Sequence, residues 1–159
     1  MNSFFDWPGH RWLGLAARWY LAAVFIYASL HKIAHPGAFA LDVATYEILP
    51  LWLVNITAIT MPWVEIGAGM LLLLGLRARA AALVCAGLMV VFMIALYSAL
   101  ARGLDMSCGC FASQSLEKND PISYLTMLRD LGWLAVALYI VVFDRRPLGV
   151  EGLWRAKKI

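Results

Sequence analysis

Between Ala80 and Leu100 the chain reads AAALVCAGLMVVFMIALYSAL, an apolar run with no charged residue and no proline. A helix needs roughly 20 apolar residues to cross the hydrocarbon core of a bilayer, and this segment has that length. The rest of the chain has the same character. Its 159 residues are 63% hydrophobic and 14% charged, with a mean hydropathy of +0.76, too apolar for a soluble domain of that size.

Working outward from Ala80, the tight basic turn Leu76-Arg77-Ala78-Arg79 separates it from a second apolar run over about 51–74, which contains Asn55, Pro62 and Glu65 and stops at Gly75. Pro62 should kink that helix. A first span reads from about 12 to 30, preceded by a short arm with Trp7 and Pro8. Tyr27-Ala28-Ser29-Leu30-His31 makes a poor small-residue cleavage site, so this run reads as a span rather than a secretory signal. Downstream, Asp120 before Pro121 supplies an N-cap and a first-turn proline, which starts a fourth span over about 121–143. The expectation is an all-α integral membrane four-helix bundle, 1–159 forming a single domain, with outer segments over 31–50 and 101–120. The first outer segment mixes polar residues with Phe39, Leu41 and Val43 and is expected to hold a short surface helix.

The net charge of +3 matters less than where the basic residues sit. Arg11, Arg18, Arg77, Arg79, Arg145, Arg146, Arg155, Lys157 and Lys158 fall on one set of helix ends, and only Lys32, Arg102 and Lys118 on the other. Lys and Arg collect on the cytoplasmic side. Both termini are therefore expected in the cytoplasm, and the segment holding Cys108 and Cys110 in the periplasm, where disulfides persist. Trp12, Trp52 and Trp154 read as interfacial anchors in the lipid bilayer. No repeat, phosphate-binding glycine loop or nucleic-acid module is present in the sequence.

Cys108-Gly109-Cys110-Phe111 is the stretch that most suggests chemistry. Two cysteines one residue apart close a disulfide only if the backbone turns sharply, and Gly109 relieves that turn. The ring is expected to be strained, and strained, exposed disulfides are the labile, exchange-competent kind. A permanent brace for the loop is the bland alternative. A third is soft-metal binding or delivery, with His31 and His35 joining Cys108 and Cys110 in a tetrahedral site; Pro36 argues that the helix ends too early to align the two imidazoles.

Ionisable groups inside a span are costly and are candidate functional residues by default. Glu65, Arg129 and Asp130 qualify. Counted from the outer helix ends, Arg129 lies about 12 Å deep and Glu65 about 20 Å deep. Neighbouring helix positions diverge, so Arg129 and Asp130 are not expected to neutralise each other, whereas Arg129 on a tilted helix could reach toward Glu65, within one chain or across a homo-oligomer. Cys85 reads as a packing residue.

Taken together, His31-Lys32-Ile33, Ile48-Leu49-Pro50, Pro62-Trp63-Val64-Glu65, Cys108-Gly109-Cys110-Phe111 and Arg129-Asp130 resemble the MauE/DoxX-like group of redox-associated membrane proteins, over roughly Trp19 to Phe143. The resemblance implies a four-helix protein of the bacterial cytoplasmic (inner) membrane. It would work beside a thioredoxin-like periplasmic partner in maturing a disulfide-rich protein, in the namesake case the methylamine dehydrogenase small subunit of methylamine utilisation. By position it assigns the cysteine motif to Cys108 and Cys110, the proline–glutamate element to Pro62 and Glu65, and the basic residue of the last helix to Arg129. The chain is also loosely similar to four-helix, quinone-linked disulfide-forming proteins, but those use two cysteine pairs and this chain has one, so a quinone cofactor is only an extension. The leading expectation is a thiol–disulfide oxidoreductase component acting through Cys108 and Cys110. Glu65, Arg129 and Asp130 would support it from below, with His31, Lys32 and His35 at the outer face. A metal-binding protein and a non-catalytic assembly scaffold are the alternatives.

Overall fold

The computed structural model describes residues 8–104 and 124–143. Among these the chain forms α1 (Pro8–Ala34), α2 (Pro36–Thr45), α3 (Leu51–Leu74), α4 (Ala78–Ala101) and α5 (Tyr124–Phe143), with no strand. Four stretches are long and apolar enough to cross a membrane: Trp12–Ala34, Leu51–Leu74, Ala78–Ala101 and Tyr124–Phe143. The expected Asp120–Pro121 cap lies outside the described residues.

Local chemistry sets the boundaries. Pro36 has no N–H to offer the carbonyl of Lys32, and its ring would crowd that carbonyl. The residue before a proline is also driven out of the helical region, and His35 sits at φ −129°, ψ 62°. α1 therefore breaks there and α2 begins at once, which supplies the short helix expected in the first outer segment. α3 continues as one helix through the buried Pro62. It stops at Gly75, whose φ of 67° is left-handed, with the Leu76 N–H donating to the Leu71 carbonyl at 3.0 Å in a glycine-terminated cap.

α1 lies along α3 and α4 along α5; contacts of α3 with α4 and of α1 with α5 join the two pairs. The shared core is built from Ala22, Ala68, Ala81, Ala82, Ala86 and Ala137, filled out by Leu21, Phe25, Leu72, Met89, Ile140 and Cys85. Small side chains let backbones approach, which matters in lipid because apolar burial alone gives helices no reason to associate. The approach is closest at Gly69, where an added Cβ would come within 2.9 Å of Ile26 Cγ1 and 3.4 Å of the Ala22 carbonyl oxygen. Cys85 is fully buried, as a packing residue should be. Leu83, Val91, Ile94, Leu125 and Leu128 point outward, as do Trp12 and Trp52.

Side-chain bonds tie the ends of the bundle. Arg79, at the start of α4, donates from Nε to the Val141 carbonyl near the end of α5 at 2.8 Å, satisfying an acceptor that the helix terminus leaves open. At the opposite end, Arg102 donates to the Tyr46 carbonyl and lies 3.6 Å from the Glu47 carboxylate. It thereby holds the turn after α2 against α4. Glu47 itself has a left-handed φ of 51°.

Candidate functional site

Lys32 follows Leu21, Phe25, Ala28 and Ser29 along the buried stripe of α1, so its side chain is directed into the bundle. There its Nζ donates to both Glu65 oxygens, at 2.7 and 2.9 Å, with the two side chains only 8% and 7% exposed. The ammonium also lies 5.1 Å from the centre of the Phe39 ring of α2, a cation–π distance. Glu65 thus pairs with Lys32, not with Arg129. The contact of Gly69 with Ala22 and Ile26 fixes the antiparallel register of α1 and α3, and one turn up from it Glu65 comes level with the last turns of α1. The depth of Glu65, counted along α3 alone, concealed this because α3 runs on beyond the end of α1, where α2 packs against it.

Arg129 and Asp130 do meet, against the expectation that adjacent helix positions diverge: Arg129 Nε lies 3.3 Å from Asp130 Oδ1. The guanidinium stem is long enough to curl across the helix face, and it stacks 4.9 Å over Trp133 one turn on. Asp130 is fully buried. Two further polar groups were missed by the sequence reading, Asp42 and Tyr46, which are 2% and 8% exposed. With Phe39 they fall at i, i+3 and i+7 of one face of α2 and its end, a spacing that could have revealed them. Burial, with the negative charges of Asp42 and Asp130 adding to it, holds the Tyr46 phenol above its ordinary value. Arg18, counted above among flanking basic residues, is 1% exposed and lies within the bundle.

Lys32, Asp42, Tyr46, Glu65 and Asp130 border a cavity of about 300 Å³. Its walls are largely apolar, from Phe25 and Ala28 of α1 through Met61 of α3 to Met89 and Phe92 of α4, and Lys32, Asp42, Glu65 and Asp130 are set into them. A concave apolar space with a few convergent polar groups is the ordinary form of a small-molecule site.

His31 and His35 come together edge to face, with ring centres 5.2 Å apart, although α1 ends between them. Among the described residues no three His, Cys, Asp or Glu side chains form a metal-sized group. Cys108 and Cys110 lie outside the described residues, in the connection from Leu104 to Tyr124.

Comparison with known proteins bears on identity. The profile of the family described as Methylamine utilisation protein MauE matches residues 10–143. The chain is 34% identical to the methylamine utilization protein MauE of Paracoccus denitrificans, over 88% of this chain and 73% of that protein. It is 34% identical to MauE of Methylorubrum extorquens over 77% and 64% of the two chains, and 29% identical to MauE of Methylophilus methylotrophus over 89% and 72%. No solved structure matches it. With four apolar helices of spanning length and this match across most of its residues, the chain belongs to the MauE family of multi-pass membrane proteins.

Proposed function

We propose that the protein is a membrane component of methylamine utilisation that exchanges thiols and disulfides with a thioredoxin-like periplasmic protein through Cys108 and Cys110, in the maturation of a disulfide-containing protein. The observation that carries this reading is the Cys108-Gly109-Cys110 pair in the α4–α5 connection of a MauE-family chain. The topology it needs puts both termini in the cytoplasm and that connection in the periplasm, which the distribution of basic residues supports.

The exchange balances without a further oxidant. A thiolate of the pair attacks one sulfur of the partner's disulfide, giving a mixed disulfide and releasing the partner's other thiolate. The second cysteine then attacks the mixed disulfide, leaving Cys108–Cys110 oxidised and the partner reduced; the reverse sequence oxidises the partner. Arg102 and Lys118, near the pair in sequence, would favour the thiolate.

Alkylation-shift trapping in native membranes, with Cys85→Ala as background, tests this. A pair that cycles with added oxidant and reductant, and traps a mixed disulfide with a thioredoxin-like protein, is the expected result. A pair that never changes state, or target maturation that survives Cys108→Ser and Cys110→Ser, overturns it. The ring contact of His31 and His35 favours a second reading, soft-metal delivery with the two cysteines. It predicts stoichiometric metal binding that is lost on His31→Ala.

A further inference from the structure

The cavity holds chemistry that thiol exchange at Cys108 and Cys110 does not use. A lysine ammonium has three N–H donors. Glu65 takes two of those of Lys32, one on each carboxylate oxygen; the third is left to the Phe39 ring, 5.1 Å from the ammonium on the same cavity wall, or to a guest oxygen, a stronger acceptor, and the carboxylate keeps lone pairs to spare. The pair therefore presents a donor and an acceptor side by side on the cavity wall.

It is also neutral as a unit. An anionic guest would either break the pair or add to the negative charge of Asp42 and Asp130 on the same walls, and an ion of either sign entering this low-dielectric space gives up its hydration, at a cost of several kcal/mol. An uncharged oxygen does neither. Val91 and Ile94 border the cavity and are 64% exposed on the apolar flank of α4, which sets one wall of the cavity against the side that faces lipid. A volume of about 300 Å³ lies at the small end of ligand sites, enough for one ring or a short length of chain.

We propose that this cavity binds one uncharged lipophilic molecule drawn from the bilayer, its carbonyl or hydroxyl oxygen hydrogen-bonded to the Lys32–Glu65 pair. A carbonyl accepts from Lys32. A hydroxyl can in addition donate to Glu65, so the pair accommodates either form. Two sources share this chemistry, a quinone-type ring and the glycerol ester of a neutral lipid.

The test is equilibrium binding to the full chain in phosphatidylcholine nanodiscs, with empty nanodiscs subtracted. The probes are three radiolabelled molecules of matched tail: a decyl-substituted benzoquinone, monodecanoylglycerol and decylbenzene. At least one oxygen-bearing probe should bind tenfold or more tightly than decylbenzene, the quinone arm indicating a ring and the glyceride arm a lipid. Lys32→Met with Glu65→Met keeps the volume and neutrality of the site and should bring the three probes within twofold of one another. Ala95→Phe, which takes up cavity volume from α4 and leaves Lys32 and Glu65 unsubstituted, should weaken the preferred probe at least tenfold. No binding, equal binding of all three probes by the unaltered chain, or a preference that survives the double substitution overturns the proposal. Cys108→Ser with Cys110→Ser should leave probe binding unchanged, so this result and the thiol-exchange reading stand or fall separately.

Discussion

Lys32 and Glu65, 33 residues apart in the chain, meet through both carboxylate oxygens in the interior of the bundle. The pair locks the end of α1 to the middle of α3 and places opposite charges on the wall of the one cavity described above.

Removing either partner strands the other. Lys32→Met or Glu65→Met alone should destabilise the protein by about 3–5 kcal/mol, whereas the double substitution should recover most of that loss, because a buried ion pair gives little net stability over well-packed apolar side chains. Fully buried Cys85 provides the readout: its maleimide labelling on heating in detergent, with Cys108→Ser and Cys110→Ser as background, reports when the bundle opens. A loss in the double variant equal to the sum of the two single losses would show that the pair is not coupled.

Gly69 and Gly87 should respond oppositely to alanine. At Gly69 the new Cβ meets Ile26 Cγ1 at 2.9 Å, on a β-branched side chain with one preferred helical rotamer. An overpacking cost of about 1–3 kcal/mol then exceeds the gain of about 1 kcal/mol in helix propensity. Gly87 has nothing within 4 Å, so Gly87→Ala keeps the gain. The same labelling assay should show Gly69→Ala opening at lower temperature and Gly87→Ala at the same or a higher one.

Glu47 holds a left-handed φ of 51°, a conformation that costs a non-glycine residue about 1–2 kcal/mol. Its ion pair with Arg102 is largely exposed and contributes little. Glu47→Gly should therefore be neutral or slightly stabilising. Arg102→Ala removes the charged donor to the Tyr46 carbonyl and should cost about 1–2 kcal/mol. A large loss on Glu47→Gly would mean that the ion pair, and not the carbonyl bond, holds the turn.

Tyr46 should shape the alkaline limb of stability. Its phenol is held above its ordinary value in the folded chain, so the folded state keeps its proton where the unfolded state has lost it. That contribution is fully present below about 10, the ordinary phenol value, and is lost as pH rises beyond it. Tyr46→Phe should leave stability below pH 9 nearly unchanged relative to its own baseline and flatten the decline above pH 10. Parallel pH profiles for the two proteins would count against a buried, proton-retaining phenol.

The sequence by itself determined the elements. An uninterrupted apolar stretch such as Ala80–Leu100 has only one low-energy way to satisfy its backbone in lipid, as a helix, and Pro36, Gly75 and the turn at Arg77 punctuate such helices through local chemistry alone. The packing role of Cys85 was legible for the same reason, since it sits in a run of small apolar residues. Which polar groups meet was decided only in the tertiary structure. Lys32 reads as an outer-end charge, and Glu65 counts as deep when measured along α3. Their contact depends on how far α1 and α3 slide past each other, which the close approach at Gly69 sets. Arg129 and Asp130 misled in the opposite way, because helix geometry separates their Cα–Cβ directions while the reach of a guanidinium does not respect them. Periodicity fixes the face a residue occupies; the lateral register of packed helices fixes its partner.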